Sequence, residues 1–110
     1  MLAVILETAD PERLYTGLSL AVSAAAEGEP VRVLLGFGPL GSELQPGPHV
    51  IEAEREAFTH TLKALRTTAH ELCEVQACAA AAQGTGSTGA PVISMPQFLR
   101  EIGDARLVVL

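Results

Sequence analysis

One stretch of this sequence sets a nucleophile where local structure would activate it. It is Leu72-Cys73-Glu74-Val75-Gln76-Ala77-Cys78-Ala79-Ala80-Ala81-Ala82-Gln83-Gly84. The apolar residues Leu72, Cys73, Val75, Ala77 and Cys78 predict a buried strand. The alanine run after Cys78 favours helix, and Gly84 supplies a stop. Cys78 therefore stands at a helix N-terminus. Unpaired backbone N–H groups and the positive end of the helix dipole stabilise a thiolate there. The competing reading is a buried cysteine acting as a small apolar residue.

Other chemistries find less support. Cys73 and Cys78 are five strand residues apart, a span of roughly 16 Å, so they should not form a disulfide within one chain. Odd spacing puts them on opposite faces, with Cys73 in the core. Gly84-Thr-Gly-Ser-Thr-Gly89 spells G-x-G-x-x-G, but a dinucleotide site needs a strand before it and a helix after it. Here a helix precedes and Ala90-Pro91 leads into a strand, so the match is accidental. His60 and His70 point roughly 80° apart on one predicted helix. With His49 they read as surface residues, and no metal site is expected. G-x-S-x-G and a phosphate-binding G-K-[ST] loop are both missing, which speaks against a serine hydrolase and a P-loop enzyme.

The elements that must hold Cys78 follow a regular order. Leu2–Leu6 is a continuous apolar strand of the kind covered on both faces. Asp10 as N-cap and Pro11 at the first helical position start a helix with the stripe Leu14, Leu18, Ala21, Val22 and Ala25, ended by Gly28. Gly17 inside it marks close packing against a neighbour. Val31–Leu35 is the second strand, and Gly36 to Pro48 is a long loop. Residues 52–70 form the second long helix, with Phe58, Leu62, Leu65 and Ala69 buried. After the cysteine strand come a strand at Pro91–Met95, a short helix from Pro96 to Ile102 and a strand at Leu107–Leu110. This alternation predicts one α/β domain over residues 1–110. It is a three-layer α/β/α sandwich on a five-stranded parallel sheet, flavodoxin-like, with the first strand near the middle. Ligand chemistry in such folds gathers at the carboxyl ends of the strands. In this chain that edge holds Glu7–Asp10, Gly36–Gly38, Cys78 and Met95–Pro96.

Composition narrows the function classes. The 110 residues carry a net charge of −6, are 48% hydrophobic and contain no basic cluster. Nucleic acid and anionic membrane surfaces are disfavoured partners. No apolar run is long enough to span a membrane. The start, Met1-Leu-Ala-Val-Ile-Leu6, reads as a strand and not as a signal peptide, so a cytosolic location with reduced cysteines is expected.

Several segments together resemble the DsrE/DsrF-like family, which includes sulfur-relay subunits of the TusD type. They are Thr8-Ala-Asp-Pro-Glu12 after the first strand, Leu18–Gly28, and Val31-Arg-Val-Leu-Leu35. The most telling is Val75-Gln-Ala-Cys78-Ala-Ala-Ala-Ala82, similar to that family's strand ending in cysteine and entering a small-residue helix. Val92–Leu99 and Asp104–Val109 complete the resemblance, while Gly84–Gly89 departs from it. The resemblance implies a parallel α/β domain assembling into homodimers, trimers or hexamers. It also implies that Cys78 takes sulfur from a donor protein as a persulfide and passes it to an acceptor protein, with no cofactor.

On that reading the Ala79 and Ala80 N–H groups steady the sulfur anion. Thr8, Asp10, Gly36 and Gly38 line the pocket, although Asp10 also reads simply as an N-cap. The alternative is a non-catalytic binding or assembly module in which Cys78 is structural. Small-ligand or nucleotide binding at the strand ends ranks below both, since it rests on fold analogy alone.

Overall fold

The apolar run Leu2–Leu6 forms strand β1, buried at every residue, and Val31–Leu35 forms β2, buried likewise. A strand buried at every residue has no solvated face, so both must lie inside a sheet covered above and below. The computed structural model describes residues 1–41 and 46–110 and places them so. Strands β3 (Glu74–Cys78), β4 (Val92–Ile93) and β5 (Arg106–Val109) complete a five-stranded sheet in the order β4-β3-β2-β1-β5. Every pairing is parallel. The fold is the expected three-layer sandwich, with β2 central and β1 an inner strand beside it.

Helix α1 (Pro11–Ala26) starts as its sequence predicts, with Asp10 capping the Glu12 N–H and Pro11 at the first position. Its Gly17 meets Leu6 and Leu110, where a Cβ would collide with the Leu6 side chain. Helix α1 and the long helix α3 (Arg55–Leu72) share one core with Leu2, Val4, Leu6, Val31, Val33, Leu35 and Val75. The other sheet face has a smaller core of Ala3, Ile5, Leu34, Ile93, Phe98 and Ile102. Phe98 and Ile102 come from helix α5 (Met95–Ile102). The alternation Leu2/Val4/Leu6 against Ala3/Ile5 is the period-2 pleat that sorts the two cores.

Several boundaries differ from expectation; β4 keeps only Val92–Ile93 of the predicted Pro91–Met95, and the helix predicted over 52–70 opens as a 3-10 turn at Glu52–Glu54 before α3. The Gly/Pro-rich stretch read as loop contains helix α2 (Phe37–Gly41); residues 42–45 of that predicted loop lie outside the described residues. Tertiary packing overrides its poor helix propensity: the Phe37 ring lies against Gly84, and Gly36 and Gly38 bring the backbone hard against Glu7 and Thr8. Leu72 and Cys73 are not strand. Leu72 ends α3, and the Cys73 N–H donates to the Ala69 carbonyl at 2.8 Å. No Gly or Pro interrupts the run before them, and apolar residues alone do not separate strand from helix. Helix α4 (Ala79–Thr85) runs past Gly84 and stops at Gly86, whose φ of 71° is the left-handed conformation glycine tolerates. Helix α5 starts one residue before Pro96, because Ser94 caps it by accepting from the Gln97 N–H.

Candidate functional site

Cys78 ends β3 and is the N-cap of α4; Ser94 follows β4 and is the N-cap of α5. Cys78 and Ile93 are register partners across the β3–β4 pair. The two helices then leave in different directions. The chain steps from β1 through β2 and β3 to β4 one way along the sheet, and then α5 carries it back over β1 to β5. Right-handed crossovers therefore put α4 with α1 and α3, and α5 on the opposite face. Where neighbouring strands send their helices to opposite faces, a crevice opens at the carboxyl ends. Cys78 sits at that place.

The thiol itself is half-buried and unpaired with Cys73. It packs against the smaller core, on the strand position opposite Ile93, and makes no capping hydrogen bond to α4. Ala79 and Ala80 are the first two residues of α4, half-buried and exposed respectively. They flank Cys78 as expected, but the thiol turns toward the α5 face. Cys73 differs in every respect. It is buried in the larger core, its Sγ is 3.7 Å from the Ala21 carbonyl, and burial pushes its thiol pKa up. The two sulfurs lie on opposite sheet faces, as their odd spacing implies.

The remaining predicted site residues are structural first. Thr8 Oγ1 accepts from the Asp10 N–H at 3.0 Å, and Asp10 accepts from the Glu12 N–H at 3.0 Å. Hydrogen bonding at Glu12, helped by Arg13, holds the Asp10 carboxyl below its ordinary value. Both residues therefore build the turn into α1. Gly36 and Gly38 allow α2 to press on the end of β1, with the Gly36 N–H donating to the Leu6 carbonyl at 2.8 Å and the Gly38 N–H to the Glu7 carbonyl at 3.2 Å. A Cβ on Gly38 would collide with the Glu7 and Thr8 backbone. Thr8 and Asp10 lie at the end of β1, two strands from Cys78, whereas Gly36 and Gly38 follow β2, the strand next to β3.

Two features escaped sequence reasoning. Arg32, 7% exposed in the middle of β2, reaches Gln76 at 2.6 Å and Glu101 of α5 at 2.8 Å. Its Nε lies 3.3 Å from the Glu74 carboxylate without a hydrogen bond, and its guanidinium sits 5.7 Å from the centre of the Phe98 ring. The signal was visible as a lone charge inside Val31-Arg32-Val33. The second feature is a groove of about 780 Å3 between α1 and the edge strand β5, lined by Tyr15, Leu20, Ser23, Arg106 and Val108 among others. It lies at the far side of the sheet from Cys78.

Among the described residues no cluster of His, Cys, Asp and Glu is arranged to hold a metal ion. His49, His60 and His70 are exposed. No helix among them is long and apolar enough to cross a membrane. The chain matches no protein-family model, and no curated protein matches it.

Proposed function

We propose that the protein is a sulfur carrier in which Cys78 accepts sulfane sulfur from a donor persulfide. The observation that supports this reading is the place of Cys78: a free, half-exposed thiol at the carboxyl end of β3 and the start of α4. The resemblance of the 75–82 segment to sulfur-relay proteins points the same way. In the step, the Cys78 sulfur attacks the outer sulfur of the donor persulfide. A Cys78 S–S bond forms, the donor S–S bond breaks, and the donor leaves as a thiol carrying the proton that Cys78 gives up. Oxidation state is conserved overall, so no cofactor is required. Release to an acceptor thiol repeats the exchange in reverse roles. The donor and the acceptor are proteins, and the carrier acts as a homo-oligomer in the cytoplasm.

A second reading is favoured by one observation: the Cys78 side chain packs on the α5-side core and makes no hydrogen bond to the helix it caps. On that reading the protein is a non-catalytic assembly module and the cysteine a filler of that core.

Native mass spectrometry with a persulfide donor separates the two. The carrier gains one sulfur atom per chain, and Cys78→Ser gains none. A wild-type protein that takes up no sulfur overturns the carrier reading and leaves the assembly module.

A further inference from the structure

The sheet has two edges. One is β4, two residues long; the other is β5, which pairs with β1 on one side only. The Arg106 N–H donates to the Met1 carbonyl and the Leu110 N–H to the Ile5 carbonyl. Even-numbered residues of β5 therefore aim their backbone groups at β1. Leu107 and Val109 aim theirs outward, because backbone direction alternates along a strand. An open edge is usually blunted by Lys, Pro, a bulge or an inward charge. In β5 the one charged residue is Arg106 at its start, and none of these side chains occurs from Leu107 to Val109. Leu107 is 45% exposed and Val109 60% exposed. On the other sheet face the groove against α1 runs along the same strand, with Tyr15 and Leu20 exposed beside it.

We infer that the β5 edge is the contact between two copies of this chain, joined antiparallel about a two-fold axis through Val108. The proposal deepens the assembly part of the proposed function and is independent of sulfur chemistry. Three observations select a second copy as the occupant.

The first is hydrogen-bond parity. With Val108 on the axis, Leu107 of one copy faces Val109 of the other and the reverse. Both residues of each pair point their N–H and C=O outward, so each pair exchanges two bonds, as an antiparallel ladder requires. The second is side-chain identity. The same register stacks Leu107 on Val109 twice, an apolar self-match of the kind that stabilises adjacent strands. The third is charge. The chain carries −6, so two copies repel unless they meet on neutral surface. No charged residue occurs from Leu14 to Ala26 or from Leu107 to Leu110, and the charged residues that line the groove are Glu27, Glu29 and Arg106. Arg106 is neutralised within its own chain by Glu29.

Two-fold pairing makes one ten-stranded sheet from the two five-stranded sheets and turns the two α1 grooves toward each other across the axis. Such a contact is isologous and closes at two copies. It leaves Cys78 free, since β3 is three strands from β5, about 14 Å at ordinary strand spacing.

The test is sedimentation velocity on the full chain and on two paired variants, each checked for folding by circular dichroism. Wild type sediments at twice the chain mass of 11.5 kDa. The variant L107K/V109K sets lysine against lysine in both cross-axis pairs and raises the dimer dissociation constant about 100-fold or more. The variant L107K/V109E sets lysine against glutamate in both pairs and remains dimeric. A monomeric wild type overturns this proposal together with the assembly reading. An oligomeric wild type whose state L107K/V109K leaves unchanged overturns the β5 edge alone. Monomeric behaviour of L107K/V109E alongside L107K/V109K overturns the two-fold register.

Discussion

Cys78 and Ser94 cap two helices that leave adjacent parallel strands for opposite faces of the sheet. Each is the last residue before its helix, so both sit on the carboxyl edge; Ser94 is exposed and Cys78 is half-buried against the smaller core. Cys73, only five residues earlier, is buried in the larger core with its thiol pKa raised by desolvation. The chain thus holds one accessible and one enclosed thiol.

Thiol reagents should resolve that difference. A small maleimide added to the native protein is expected to label one cysteine per chain, at Cys78, with the second reacting only after denaturation. Thiolate fraction and access both act against Cys73. Peptide mapping after brief labelling checks this. Equal labelling of both residues in native buffer would mean that the core between α1 and α3 opens readily.

The contact of α2 with the end of β1 yields a comparison between two glycines. A Cβ at Gly36 meets chiefly the Glu7 carboxyl group, which can rotate away, whereas a Cβ at Gly38 meets the Glu7 and Thr8 backbone, which cannot. Gly38→Ala is expected to destabilise by about 1–3 kcal/mol, the usual range for overpacking, and Gly36→Ala by less. Urea unfolding of the two variants gives the order directly. If Gly38→Ala is the milder change, α2 is held less tightly than its backbone contacts require.

Much of this architecture was legible because burial and sequence period coincide. β1 is apolar on both sides and β2 is so except at Arg32, so they announce inner strands, and Asp10-Pro11 announces the start of α1. The order of elements then leaves few topologies for a parallel sheet. What the letters hide is what depends on contacts far along the chain. Nothing in Phe37-Gly-Pro-Leu-Gly41 favours helix; its helical turn comes from Phe37 lying on Gly84 and Gly38 lying on Thr8. Cys78 could be placed at a helix start from its neighbours, but not turned toward the smaller core, because that depends on which face α5 covers. Arg32 was equally opaque. A charge within a buried strand states a need for partners, and its partners Gln76 and Glu101 lie 44 and 69 residues further along.

That arginine leads to the pH dependence of α5. Hydrogen bonding from Arg32, then from Gln97, holds the Glu101 carboxyl below its ordinary value of 4.5. A carboxyl lowered in the folded state binds fewer protons there than in the unfolded state, so its contribution is complete above 4.5. The contribution is lost as pH falls through the lowered folded value. Glu101→Gln removes this titration while keeping the side-chain shape. The stability gap between wild type and Glu101→Gln is therefore expected to be largest near neutral pH and to shrink as the solution is acidified below 4.5. Glu29, lowered by its hydrogen bond from Arg106, titrates in both proteins and cancels in the difference. Thermal unfolding of the pair across an acid series measures the gap. A gap that stays constant from neutral to acid pH would show that Arg32 is held by Gln76 and Glu74 alone, and that α5 rests on Phe98 and Ile102.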